Sequence, residues 1–386
     1  MLRRVESVEG VVRTLPILGD FLGRSGRLLE DVKDNLWVGP EASSADVKSP
    51  SQSMLKWRIP FRSSLEFRER YRLFDTDRIR IGRLLEALDA FSGDCAYRHA
   101  GGVEDRTIVT ACLDRLDLFS RHFSLNSDLQ LVGRVVCVGS SSMDVRVDVF
   151  AEEEYVGKAD FLFVSRDKVL NRAKPVPKLL ITSQEEKDME REYSLHRSRR
   201  KAQSESSIWK VPPSSEESRL MHELFSQSQK DFQRGTFISL RDSGVDKTVL
   251  MQKQHRNVHN KIFGGHLMRE AYELAWICAY RFGRCYPLLQ CVDDILFLKP
   301  VEVGSIVTFK SELAYVDSSR TSAVVNVEAI VEDALTGAKS VTNTFHFLFT
   351  FSSDCAQIIP NLLPETYQDA LKFFEGRRRF LAIKKA

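Results

Sequence analysis

The stretch QHRNVHNKIFGGHLMREAYE, residues 254–273, decides how the rest of the chain is read. A polar loop holding Asn257 and His259 runs through Phe263 into Gly264-Gly265. Leu267, Met268, Ala271, Leu274, Ala275 and Cys278 then follow at helical spacing. The pattern predicts a site built at a helix start. Paired glycines let the backbone approach a ligand closely, and the first amides of a helix have no intrahelical partner and carry the positive end of its dipole. A thioester or phosphate oxygen suits such a place. Gly-Gly before a helix is also an ordinary turn, so the surroundings have to decide.

Working outward, a strand pattern at 248–252 precedes this loop, and four more follow the helix at 288–300, 305–316, 322–333 and 340–351. The last puts Phe345, Phe347, Phe349 and Phe351 on one face. The same order occurs earlier in the chain. Leu84, Leu85, Leu88, Phe91 and Cys95 mark a helix over 82–97, and strands are predicted at 108–119, 128–139, 142–153 and 156–166. Met143, Val145, Val147 and Val149 alternate there with Asp144, Arg146 and Asp148, giving one buried and one wet face. The spacing from helix start to third strand nearly repeats, from Gly82 to Ser142 and from Gly265 to Ser322. One long helix followed by an antiparallel meander packs most economically if the sheet curls around the helix. The expected class is therefore α+β, two such units in tandem. The expected boundaries are an N-terminal targeting or linker segment at 1–56, a first domain at 57–170, a polar connection at 171–230 and a second domain at 231–386.

Composition describes an ordinary globular protein: 386 residues, 43% hydrophobic and 28% charged. Apolar runs are broken by charges well before the roughly 20 residues that a membrane span needs, so no transmembrane segment is expected. A net charge of +3 gives no case for nucleic acid, and the basic clusters at 196–201 and 377–379 read first as solvated faces. The seven cysteines form no CxxC pair, which fits free thiols in a reducing compartment better than disulfides or a metal site. The first 29 residues interleave Arg3, Arg4, Arg13, Arg24 and Arg27 with apolar residues, as an organellar transit peptide does, although Glu6, Glu9 and Asp20 are unusual in one. A mitochondrial matrix location is expected on that pattern, with the cytoplasm as the alternative.

Several separated motifs together resemble the hotdog-fold acyl-coenzyme A thioesterases, and within them the tandem double-hotdog enzymes of mitochondria. They are RLLEALDAFSGDCAYRH, VTACLDRLDLF, VHNKIFGGHLMREAYELAW, VDDILFLKPVEVGS and VTNTFHFLF, in family order, and the likeness covers roughly 57–380. The resemblance implies hydrolysis of fatty acyl-CoA to fatty acid and CoA, a homo-oligomer, and no cofactor or metal beyond the CoA of the substrate. Carried onto this chain, it makes Asn257 the loop residue of the site and Asp89 the acidic residue on the facing helix. Glu86, three residues earlier on nearly the same face, is the fallback. Departures accompany the match. His255 stands where many relatives have an Asp, and Tyr272 stands where the second helix could carry an acid. One competent site per chain is expected.

Thioester hydrolysis needs an activated water, a polarised carbonyl and a leaving group, and a thiol with a pKa of about 8.5 leaves without a strong acid. That fits the absence of a GxSxG serine motif. Asp89 would be the general base or a direct nucleophile, Asn257 would position water or carbonyl, and the Gly265 amide would hold the oxyanion, with Gly264 and His259 in support. Asp89 could instead pair with a cation, and Asn257 could simply close its own turn. Arg320, Thr321 and Ser322, entering a strand, are candidates for the CoA phosphates, against the plainer reading of a polar hairpin. Two other functions fit the same motifs: a hotdog enoyl-CoA hydratase or dehydratase, and a non-catalytic acyl-CoA-binding protein.

Overall fold

The computed structural model describes residues 2–22, 26–41, 46–119, 123–231, 237–257, 259–333, 336–356 and 358–385. The chain folds as two compact units, the first comprising 1–195 together with 251–269 and 296–304, the second 196–250, 270–295 and 305–386.

In the first unit the strands are β1 (Arg3–Arg4), β2 (Leu36–Val38), β3 (Val47–Lys48), β4 (Leu55–Ile59), β5 (Arg106–Leu118), β6 (Leu129–Val138), β7 (Ser142–Ala151), β8 (Glu154–Asp167) and β9 (Lys178–Leu179). Its helices are α1 (Val8–Thr14), α2 (Pro16–Leu22), α3 (Gly26–Asp34), α4 (Pro50–Ser53), α5 (Leu65–Tyr71), α6 (Ile81–Ala100) and the start of α7 (Gln184–Glu205). One antiparallel sheet runs in the order β1-β2-β4-β6-β7-β8-β5. The sheet wraps α6, so that helix is buried almost all round, from Gly82 to Ala100. Helix and sheet approach so closely at Gly133 of β6 that a Cβ there would lie 2.7 Å from the Cys95 sulfur and 2.9 Å from the Phe91 ring. Only glycine fits without displacement.

The second unit contains α8 (Ser215–Asp231), most of α9 (Gly264–Gly283), α10 (Tyr367–Lys385) and strands β10 (Phe237–Ser239), β11 (Val245–Leu250), β12 (Leu288–Phe297), β13 (Ile306–Val316), β14 (Ser322–Glu332), β15 (Lys339–Thr350) and β16 (Asn361–Leu363). Its main sheet runs β12-β15-β14-β13-β11. That order matches β5-β8-β7-β6-β4 of the first unit strand for strand, and α6 and α9 are each 20 residues long. The tandem repeat of an antiparallel sheet around one long helix, an α+β hotdog in each half, is thus present. Phe345, Phe347 and Phe349 are buried opposite Val327, Val325 and Ala323 of β14, and Phe351 is buried beyond them.

Among the described residues before Trp57, several pack into the first unit. Val11, Leu15, Leu18 and Leu22 recur at helical spacing and are buried, with Val32 and Leu36 beside them. In the polar connection, α7 is docked as well as solvated. Its Tyr193 is buried, bonded to Asp160 of β8 and accepting from Arg146 Nε of β7 at 3.0 Å.

Candidate active site

Asp89 lies in the third turn of α6 and is 1% exposed. Thr110 of β5 donates its hydroxyl to Asp89 Oδ1 at 2.9 Å. The other oxygen, Oδ2, is buried without a hydrogen-bond partner among the described residues. It lies against the start of α9, since a Cβ on Gly264 would stand 3.2 Å from it. Burial pushes the Asp89 carboxyl up to about 7, against the opposing pull of the Thr110 bond and the Gly265 amide, while the negative charge of Glu86 adds to the rise. A carboxylate that exchanges its proton near neutral pH is suited to general-base work.

The glycine pair is required by packing. A Cβ on Gly265 would fall 2.5 Å from the Phe263 ring and 2.9 Å from the Glu86 Cα, so only glycines let the start of α9 come down onto α6. In this arrangement the start of α9 lies against the carboxyl of Asp89.

Glu86 is also buried, but it is fully engaged. Arg83 donates to its Oε2 at 2.7 Å and Arg269 at 3.2 Å, and the His266 ring lies 3.7 Å from its Oε1. Burial works to raise its pKa, yet His266, Arg269 and Arg83 together hold it below the ordinary value. Glu86 is therefore a fixed anion, poorly placed to accept a proton.

The loop residues divide their duties. The carboxamide oxygen of Asn257 accepts from the amides of His259 at 2.9 Å and Lys261 at 3.2 Å, closing its own turn. His259 Nε2 meets the hydroxyl of Tyr97, which in turn accepts from the Ile108 amide at 2.9 Å. Burial, helped by the charge of Lys168, pulls His259 down to about 4, so it is neutral and structural. His255 stacks face to face on His266, ring centres 3.9 Å apart. It supplies no carboxylate to the loop.

A cleft of about 490 Å³ opens beside these residues, lined by Asn257, Glu86, His266 and Phe263, and by the cations Arg70, Arg83, Lys253, Arg256 and Arg269. The predicted phosphate group lies elsewhere, in the second unit. Asp317 accepts from the Thr321 and Ser322 amides at 2.9 and 2.8 Å, and Arg320 donates to the Ile359 carbonyl at 3.2 Å. These three residues are occupied in closing a hairpin. Likewise Arg377, Arg378 and Arg379 face Glu216, Glu217 and Asp293 in ion pairs.

No protein-family model matches the chain. The mitochondrial acyl-coenzyme A thioesterase 9 of Mus musculus is 33% identical over 348 residues, 86% of this chain and 78% of the relative. The chain belongs to the acyl-coenzyme A thioesterase family. This thioesterase is also 30% identical to the chloroplastic acyl-coenzyme A thioesterase 2 of Humulus lupulus, over 90% of this chain and 84% of that one. Among solved structures, an acyl-CoA hydrolase from Staphylococcus aureus in complex with butyryl coenzyme A, coenzyme A and coenzyme A disulfide covers 39% of this chain and 91% of its own, at 22% identity and a TM-score of 0.36.

Sequence reading of the thioesterase missed Thr110, Tyr97, His266 and the arginines of the cleft. Arg83 was within reach, because GRLLEALD places it one helical turn before Glu86 and two before Ala90, beside the acidic pair. Thr110 carried no local signal, since it sits on β5 and its partner Asp89 on α6, and only the fold brings strand and helix together.

Proposed function

We propose that this thioesterase hydrolyses fatty acyl-CoA with Asp89 as general base, and that no cofactor takes part. The observation that carries the reading is the buried Asp89 carboxyl, held through one oxygen by Thr110 with the other free at the start of α9. Asp89 Oδ2 takes a proton from water as the water oxygen bonds to the thioester carbon. The carbonyl π electrons move onto oxygen. The Gly265 amide, at the start of α9, holds the new oxyanion, a contribution typically worth about 3 to 4 kcal/mol. Collapse of the intermediate re-forms the carbonyl and breaks the C–S bond. The proton on Asp89 returns to the departing thiolate, giving CoA and fatty acid. Asn257 positions the water or the carbonyl through its carboxamide nitrogen, while Gly264, Glu86 and His259 support the site by packing, charge and loop geometry. Arg83, Arg256 and Arg269 of the cleft are further candidates for the CoA phosphates beside Arg320, Thr321 and Ser322, because guanidinium groups match phosphate oxygens in pairs.

Thiol release from acyl-CoAs of graded chain length, by the wild type and by Asp89→Asn, tests this. A fall of about a hundredfold or more in the variant is expected, the loss typical of a missing general base. Retained activity in Asp89→Asn would remove Asp89 from the role, and acyl-CoA bound by the wild type without thiol release would make the chain a binding protein. The reading also includes a mitochondrial matrix location, supported by the names of the relatives, and a homo-oligomer. Protease protection in fractionated organelles and light scattering of the purified chain check these two.

A further inference from the structure

We infer that α2 is a wall of the substrate site, and that Ile17 and Phe21 are specificity-determining residues that meet the acyl chain. The inference rests on the thioesterase reading of the cleft given above.

The seven residues of α2 present two different faces. Leu18 and Leu22, four apart, are buried in the first unit, whereas Ile17 and Phe21, also four apart, are only half-buried and line the cleft. Apolar side chains left partly open toward the cleft, with Phe263 beside them, form an apolar strip in a site otherwise rich in charge. Phe21 stands 6.2 Å from the Phe263 ring, centre to centre.

Polar latches hold both ends of this helix. Asp94 of α6, fully buried, accepts from the amides of Ile17 and Leu18, each at 2.9 Å. Arg70 of α5 donates to the carbonyls of Phe21 and Leu22, each at 2.8 Å, with its guanidinium 5.3 Å from the Phe21 ring centre. In between, Ile17 lies over Gly93 of α6, where a Cβ would come within 3.2 Å of the Ile17 Cδ1. Asp94 follows Asp89 on the same helix by five residues, so one element fixes both the general base and the wall. A buried carboxylate and an arginine spent on main-chain groups give α2 a defined place, and a defined place is what a specificity wall requires. The cleft thus divides by chemistry. Ile17, Phe21 and Phe263 suit a hydrocarbon chain, and Arg83, Arg256 and Arg269 suit the anionic end of the substrate.

The experiment measures kcat/KM for Ile17→Ala, Phe21→Ala and the milder Phe21→Leu over a series from short to long saturated acyl-CoAs, with melting temperature recorded for each. The ratio of long-chain to short-chain kcat/KM is expected to change about tenfold in Phe21→Ala and to move back toward the wild-type ratio in Phe21→Leu, because the worth of an apolar contact scales with the methylenes it covers. An unaltered ratio in folded Phe21→Ala and Ile17→Ala overturns the inference, as does an equal loss at every chain length. Should Phe21→Ala fail to fold, the ratio in Phe21→Leu and Ile17→Val decides. Wild-type protein that releases no thiol would instead overturn the thioesterase reading on which this rests, so the two failures are distinct.

Discussion

At Asp89 the cost of burial and the requirement of catalysis meet in one carboxyl. With its pKa raised to about 7, kcat/KM is expected to rise with pH through about 7 and to level above it, measured as thiol release in buffers of constant ionic strength. His259, pulled down to about 4, is neutral throughout that range, so His259→Asn should leave the midpoint of the acid limb where it is; a midpoint that moves with His259 would transfer the base role. The same shift has a consequence for stability. The folded state holds the Asp89 proton more tightly than the unfolded chain, so the contribution is fully present below the unfolded carboxyl pKa and is lost as pH rises through about 7. Asp89→Asn, which cannot ionise, should therefore melt higher than the wild type at pH 8 and show less advantage at pH 4, by calorimetry at both pH values. Asp89 was singled out through the family resemblance, with helix periodicity placing it two turns into its helix. The state of Asn257 was not legible in the sequence, since whether a carboxamide faces its own loop or a substrate depends on the two amides that come within reach when the loop closes.

Elements repeat more faithfully than sites do. Counting from Ile81 and Gly264, Asp89 and Tyr272 occupy the same position in their 20-residue helices. Tyr272 is buried with its ring 5.8 and 6.1 Å from those of Phe347 and Phe349. The second helix has an aromatic plug where the first has the Asp89 carboxyl, and Ile81 stands where the second has Gly264. Both differences were visible in the sequence once the two helices were aligned, because side-chain identity at a fixed helical position needs no tertiary knowledge. The N-terminal helices carried no separate signal, because a short amphipathic pattern does not say what it packs against. At the α9 start, packing yields a graded prediction. Gly265→Ala would set a methyl 2.9 Å from the Glu86 backbone, which cannot move cheaply, whereas Gly264→Ala would meet the Phe297 ring at 3.1 Å and Asp89 Oδ2 at 3.2 Å. Gly265→Ala should lose about 1 to 3 kcal/mol in denaturant titration, as overpacking does. Gly264→Ala should lose less stability but most of its kcat, because the atom it crowds is the one that takes the proton.

For the whole molecule, chain order and compact units do not coincide. Residues 251–269, which carry Asn257, His259 and Gly265, and residues 296–304 belong to the first unit although they follow the second half's β11 and β12 cores in sequence. The candidate site is therefore written in two distant parts of the sequence, Asp89 and Thr110 in one and the glycine loop in the other, joined by the bond network around Glu86. The family resemblance, not the linear repeat, implied this division, and neither said which unit would hold the loop, since periodicity records which residues are buried and not against what. A chain cut between α7 and α8, at the exposed Pro212, tests the consequence. Residues 1–212 alone retain Asp89 but lack the Gly264–Gly265 cover and Arg269, and 213–386 alone lack the base. Neither piece is expected to release thiol from acyl-CoA by itself, and co-expression of both should restore activity together with co-purification. Activity in the first piece alone would show that Asp89 needs no helix start above it, and would dismantle the role given to Gly265.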